Sequence, residues 1–452
     1  MSPFGFTPDD DEERNKDGEN NGGQNNGGEN DFAAMMRQMQ EQINQQFEKM
    51  GINPAGFVNP FAAFTGASRD ALPKSVVRDT AKKFVAAHGS APIGVTDTTV
   101  VNNALEIADL WLNEATDFPA ISGTGAPNCV SRLDWVDETL PGWQSTMEPL
   151  ATGLTAAMTK LLDEAGASDT NSPMAAQMAP IAALLQTFIG SLIATQLGQA
   201  IGGISSTATG AHDVGLPLLE PARALLIPEN IEKWSVDVDI PKSEIYLFHA
   251  LREVAVARLF AHNPWLVPYI RSAIVEYGRG IHIDMEAIQR QAEEAMQGLN
   301  PESLDPENLD PQNMDLSAIG NVVFTPEETP AQRAALSKLE TALALVDGWA
   351  DEVATLAAGD RLPAITQLRE LYRRQRATSA PSQQLFKTLL GLQVTPKLAR
   401  EASAFWQKIR EVHGISSRDQ IWGAILPTAE ELLAPDVFLA STQVPDDLSG
   451  LL

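Results

Sequence analysis

Cysteine is nearly absent. Cys129 is the single thiol in 452 residues, which excludes an internal disulfide, a zinc ribbon and a Cys-x-x-Cys redox pair, and which fits a reducing compartment. Positive charge is scarce too: 32 Lys and Arg stand against 59 Asp and Glu, for a net charge of −27. That balance argues against nucleic-acid binding, where Lys and Arg neutralise phosphates. It also argues against anionic membrane surfaces. The opening MSPFGFTPDDDEER lacks both the basic start and the apolar run of a secretion signal, so the expected location is cytoplasmic. No GxSxG elbow, phosphate loop or nucleotide-binding glycine pattern is present. Cys129, in GAPNCVSR, has no histidine nearby to activate it.

What is present is mostly helical pattern. Residues 1–67 form an expected disordered tail, acidic and rich in Asn and Gly, because such composition buries too little surface to offset ordering. Within it, FAAMMRQMQEQINQQFEKM reads as one amphipathic helix. The folded body is expected over 68–452, with a linker at about 298–330 where NPESLDPENLDPQNMD repeats proline every five residues. Apolar residues recur every three to four positions through the rest of the body. SRLDWVDETLPGWQSTMEPLATGLTAAMTKLLDEAG reads as two helices broken near Pro141-Gly142. Strand character is confined to short pieces such as KWSVDVDIP. The fold class is mainly α with few short strands.

One uncharged stretch, Thr170 to Ala211, is long enough to raise a membrane span. Glutamines, Pro180 and glycines interrupt it, so a buried core helix is favoured. Gly198 and Gly202 form a GxxxG in it, a spacing that permits close helix contact. The only basic island, RELYRRQRATSAP, reads as a solvated helix C-terminus.

The chemically informative stretch is FHALREVAVARLFAHNPWL, Phe248 to Leu266. A zinc-protease helix carries His-Glu-x-x-His, since four residues advance about 400° and aim both imidazoles at one metal. The Glu beside the first His polarises the zinc-bound water. Here the five residues are Arg252, Glu253, Val254, Ala255 and Val256. Glu253 is the catalytic-type carboxylate, but the guanidinium of Arg252 and the isopropyl group of Val256 offer a cation no electron pair. A rearranged site would draw on His249, one turn before Glu253, and on His262. It would lie about 4–5 Å along the axis from the standard one. Glu276 stands twenty positions after Val256, where gluzincins place a third, carboxylate ligand. The simpler role for Glu253 is structural, paired with Arg252, Arg258 or another buried cation.

Taken in order, NNALEIADLWLNEAT, SRLDWVDETLPGW, QLGQAIG followed by DVGLPLL, REVAVARLFAHNPWLVPYIRSAIVEYGRGIHID, LETALALVDGWADEV and RRQRATSAPSQQLFKTLLGL resemble the actinobacterial zincin-like metallopeptidases of type 2, a family carrying hydrolase labels. The resemblance implies a zincin-like helical body and a zinc-dependent ancestry. One branch of that family keeps His-Glu-x-x-His, and the branch most similar to this chain carries Arg-Glu-x-x-His. Val256 departs further still. Where the family often shows Glu-Gly, this chain has Asp347-Gly348, which makes Asp347 a second candidate for the distal carboxylate. Two expectations follow. The first is a catalytically inactive, cytoplasmic binding or scaffold protein with no cofactor and a protein or peptide partner. The second is an active zinc hydrolase built on His249, His262, Glu276 or Asp347 around Glu253.

Overall fold

The computed structural model describes residues 71–166, 190–279, 329–385, 398–423 and 426–442, with 122, 124, 192 and 382 excepted. The expected N-terminal tail with its amphipathic helix, most of the linker and most of PSQQLFKTLLGL lie outside the described residues. The described chain is helical: α1 Lys74–His88, α2 Val95–Leu112, α3 Arg132–Gly166, α4 Pro228–Trp234, α5 Lys242–His262, α6 Leu266–Arg279, α7 Pro330–Ala358, α8 Ile365–Ser379, α9 Ala399–Gln420 and α10 Pro435–Thr442.

Two helices form the centre. α5 is buried on every side from Phe248 to Phe260, as expected of a helix with no polar stripe. It packs against α2 and α7. α7 starts at a capping box, where Thr329 and Gln332 satisfy each other's backbone N–H groups. It then runs between α5, α6 and α9. Trp349 on α7 and Trp406 on α9 are fully buried. Gly348 lets α7 and α9 approach closely, because a Cβ there would lie 2.6 Å from the Ala402 Cβ and 2.6 Å from the Ser403 backbone nitrogen. Gly348→Ala is therefore expected to force the two helices apart and lower stability by about 1–3 kcal/mol, measured by urea unfolding.

Three expectations are corrected. Few short strands were expected, yet among the described residues there are only isolated bridges, Cys129 to Leu226 and Gly210 to Leu226. KWSVDVDIP forms no strand: Trp234 ends α4, Val236 is 64% exposed and Asp237 adopts a left-handed φ of 64°. That turn breaks an extended run before it can pair. Secondly, α3 does not break at Pro141 but continues through Pro141 and Pro149. One missing N–H is outweighed by burial on both sides, from Trp135, Val136 and Leu140 to Trp143, Met147 and Leu150. Thirdly, the basic island is not a simple solvated end, as described below.

The described part of the apolar stretch is a core helix. Ile193, Ala194, Leu197, Ile201 and Ile204 are buried, and its GxxxG faces α1, with Gly198 against Val77 and Thr80 and Gly202 against Phe84. Among the described residues no helix is long and apolar enough to cross a membrane. The remainder, up to residue 189, lies outside them.

Candidate functional site

Consecutive positions on α5 point about 100° apart, so Arg252 and Glu253 serve different neighbours. Arg252 reaches α7. Its guanidinium pairs with Asp347 and, at 3.2 Å, with Asp351, two carboxylates one turn apart on the same face. It also lies over the Tyr372 ring, 4.2 Å from the centroid. Arg252 is thus a buried cation held by three neighbours.

Glu253 faces the chain between the helical residues 193–205 and α4. Its Oε1 accepts from the Ala211 N–H at 3.0 Å, the Leu225 N–H at 3.3 Å and His212 Nδ1 at 2.9 Å. Its Oε2 accepts from the His212 N–H at 3.1 Å. The expected ion pair with Arg252 or Arg258 does not form, since Arg258 goes to Asp109 and the Phe118 carbonyl. The other side of the carboxylate presses on Gly210, where a Cβ would sit 2.3 Å from Oε2. Four donors and a glycine wall hold this carboxylate in place.

His249, one turn earlier, is buried among Trp234, Phe248 and Tyr372. Its Nδ1 lies 3.1 Å from the Thr209 hydroxyl, which also lies 3.0 Å from Asp213 Oδ2. An ionised carboxylate only accepts, so the hydroxyl proton goes to Asp213 and His249 Nδ1 donates to the hydroxyl oxygen. Asp213 is ionised here: burial pushes its pKa up, but Arg376 and the Thr209 hydrogen bonds hold it below the usual range. Burial, aided by Arg252 and Arg376, takes His249 down to about 4 despite Asp213. The imidazole is neutral, and its Nε2 keeps a lone pair with no hydrogen-bond partner.

These groups line a cavity of about 420 Å³. The basic island closes one side. On α8, Arg369 and Arg373 reach back to Asp351, each at 2.7 Å, while Tyr372 and Arg376 turn to Asp213 at 3.0 and 2.6 Å. Only Arg374 behaves as a solvated helix cation, paired with Glu370. The expected solvated cap is a wall of the cavity because buried carboxylates on other elements attract it. Sequence reasoning missed His212, Asp213 and Thr209. Their signal was a His-Asp pair between two glycines in GAHDVG, directly after the apolar stretch.

His249, Glu253 and Asp347 share the cavity, but His262 and Glu276 do not. His262 is exposed, stacked on Phe118, with Nε2 2.9 Å from the Pro119 carbonyl. Glu276 is exposed and pairs loosely with Lys338. Asp347 already serves Arg252. Among the described residues no three His, Cys, Asp or Glu side chains are grouped as a metal ion would require. The Arg252 guanidinium, the fully hydrogen-bonded Glu253 carboxylate and the Val256 isopropyl group do not fit the donor set of a zinc ion. Cys129 is buried and its thiol is pushed up to about 11, mainly by burial, which leaves it unreactive.

A body that is helical throughout its described residues, with a cavity beside its two central helices, defines the class. A family model for zincin-like metallopeptidases matches residues 74–439. The chain belongs to that family. It is also similar to a solved structure titled a "putative hydrolase with a novel fold" from Chloroflexus aurantiacus, with a TM-score of 0.54 and 15% identity over 82% of this chain and 100% of that one. At that identity the likeness is one of fold. No curated protein matches the chain.

Proposed function

We propose that this chain is a non-catalytic member of the zincin-like metallopeptidase family, a cytoplasmic binding protein that uses the cavity beside α5. The observation that carries this reading is the state of Glu253. A general base must be free to meet a water or a substrate proton, whereas this carboxylate accepts from three backbone amides and His212. Arg252 adds to the case: it fills the first ligand position and is itself bound on α7. Metal analysis of the purified chain by mass spectrometry, after zinc loading and desalting, tests the reading. Zinc far below one per chain is expected. Stoichiometric zinc that disappears in His249→Ala would overturn it.

The second reading, a hydrolase with a rearranged zinc site, draws on family membership and on His249 and Glu253 lining one cavity. It needs a further donor, and His262 and Glu276 are engaged elsewhere. Chelator-sensitive peptide cleavage by the purified chain would favour it.

A further inference from the structure

A chain with a charge of −27 concentrates arginine around one cavity. Arg252, Arg373, Arg376 and Arg400 line it, against Asp213, Glu253 and Asp347. Four guanidinium groups against three carboxylates leave the lining with one excess positive charge. Arg369 and Asp351 behind it add one charge of each sign. Three of the four lining arginines have carboxylate partners. Arg400, exposed near the start of α9, has no ion pair or hydrogen bond among the described residues.

Deeper in, the character changes. His212 and His249 are both buried, and the Nε2 of each has no hydrogen-bond partner. His212 donates through Nδ1 to Glu253, and His249 through Nδ1 to Thr209. His249 is neutral with Nδ1 donating to Thr209, so its Nε2 is an acceptor. A buried acceptor left unpaired is costly, so a ligand that brings a donor to it gains specificity as well as affinity. The guanidinium at the mouth asks for an oxyanion, and the single excess charge matches a monoanion better than a phosphate dianion.

We propose that this cavity binds a small monocarboxylate bearing an N–H or O–H donor near the acid, with the acid on Arg400 and Arg376 and the donor on His249 Nε2. This deepens the binding-protein reading and rests on it. Isothermal titration of the full chain with N-acetylglycine, its methyl ester, levulinate and inorganic phosphate tests the idea. Levulinate replaces the amide N–H by a methylene. N-acetylglycine is expected to bind saturably, with the ester about tenfold or more weaker through loss of the charged contact. Levulinate is expected to be about three- to tenfold weaker. Arg400→Gln, an exposed change, is expected to weaken N-acetylglycine about tenfold and leave the ester unchanged. Equal binding of acid and ester, phosphate binding tighter than the acid, or no saturable binding of N-acetylglycine would each overturn the proposal. Acid binding by a chain that also holds stoichiometric zinc would instead overturn the non-catalytic reading and leave the ligand class standing.

Discussion

Glu253→Ala is expected to lower the unfolding free energy by about 3–5 kcal/mol, and Glu253→Gln by about 1–3 kcal/mol. The alanine variant leaves the N–H groups of Ala211, His212 and Leu225 and the Nδ1 of His212 without their acceptor in a buried site. Glutamine keeps one oxygen, but its amide group brings N–H donors to a place already filled with them. Urea unfolding followed by circular dichroism measures both. A carboxylate whose task was only to polarise a metal-bound water would tolerate glutamine with little change in stability. Glutamine and wild type unfolding at the same urea concentration would therefore return Glu253 to a catalytic role.

The helical architecture was largely legible because α-periodicity is local. α1, α2, α7 and α9 follow stripes visible in short windows, and α9 breaks at Gly414, φ 85°, where the apolar pattern ends in a glycine. The errors arose where a local signal met a non-local contact. Pro141 reads as a breaker in isolation, yet the buried tryptophans on each side keep α3 continuous. Val236 and Val238 alternate like a strand, but no neighbouring strand exists among the described residues to pair with them.

At the candidate site the residue types could be read: the Arg252 guanidinium and the Val256 isopropyl group offer a cation no electron pair in any fold. The partners could not. Glu253 is served by residues about thirty to forty positions earlier, and Arg252 by Asp347 and Asp351 nearly a hundred positions later. A spacing clue did exist. Asp347 and Asp351 lie four apart, as do Arg369 and Arg373, and Tyr372 and Arg376, so each pair shares one helix face. Complementary charges at matched spacing on separate helices point to a buried network, but only packing shows that α5 and α8 meet α7 at that height.

Asp351 is the hub of that network, and its removal is the second large effect expected. It is buried and accepts from Arg252, Arg369, Arg373 and the Ser403 hydroxyl. Asp351→Ala takes the carboxylate from Arg369 and Arg373 and leaves Arg252 with Asp347 alone, and breaking a buried pair in this way costs about 3–5 kcal/mol. The wild-type pH dependence carries the same signature. Burial pushes the Asp351 carboxyl up, but the Arg369 hydrogen bond and the charges of Arg252, Arg369 and Arg373 hold it well below the usual carboxylate value of 3.8. A folded-state pKa below the unfolded one contributes stability that is present above the unfolded value and lost as pH falls toward the folded value. His249, lowered from 6.5 to about 4, acts in the same direction. Stability is therefore expected to decline in two stages, first between pH 6.5 and about 4 as the unfolded chain protonates His249, then below 3.8 through Asp351. Asp351→Asn should flatten the second stage and leave the first intact. Unfolding curves collected from pH 7 to pH 3 measure both stages, and an unchanged acid limb in the variant would move the hub away from Asp351.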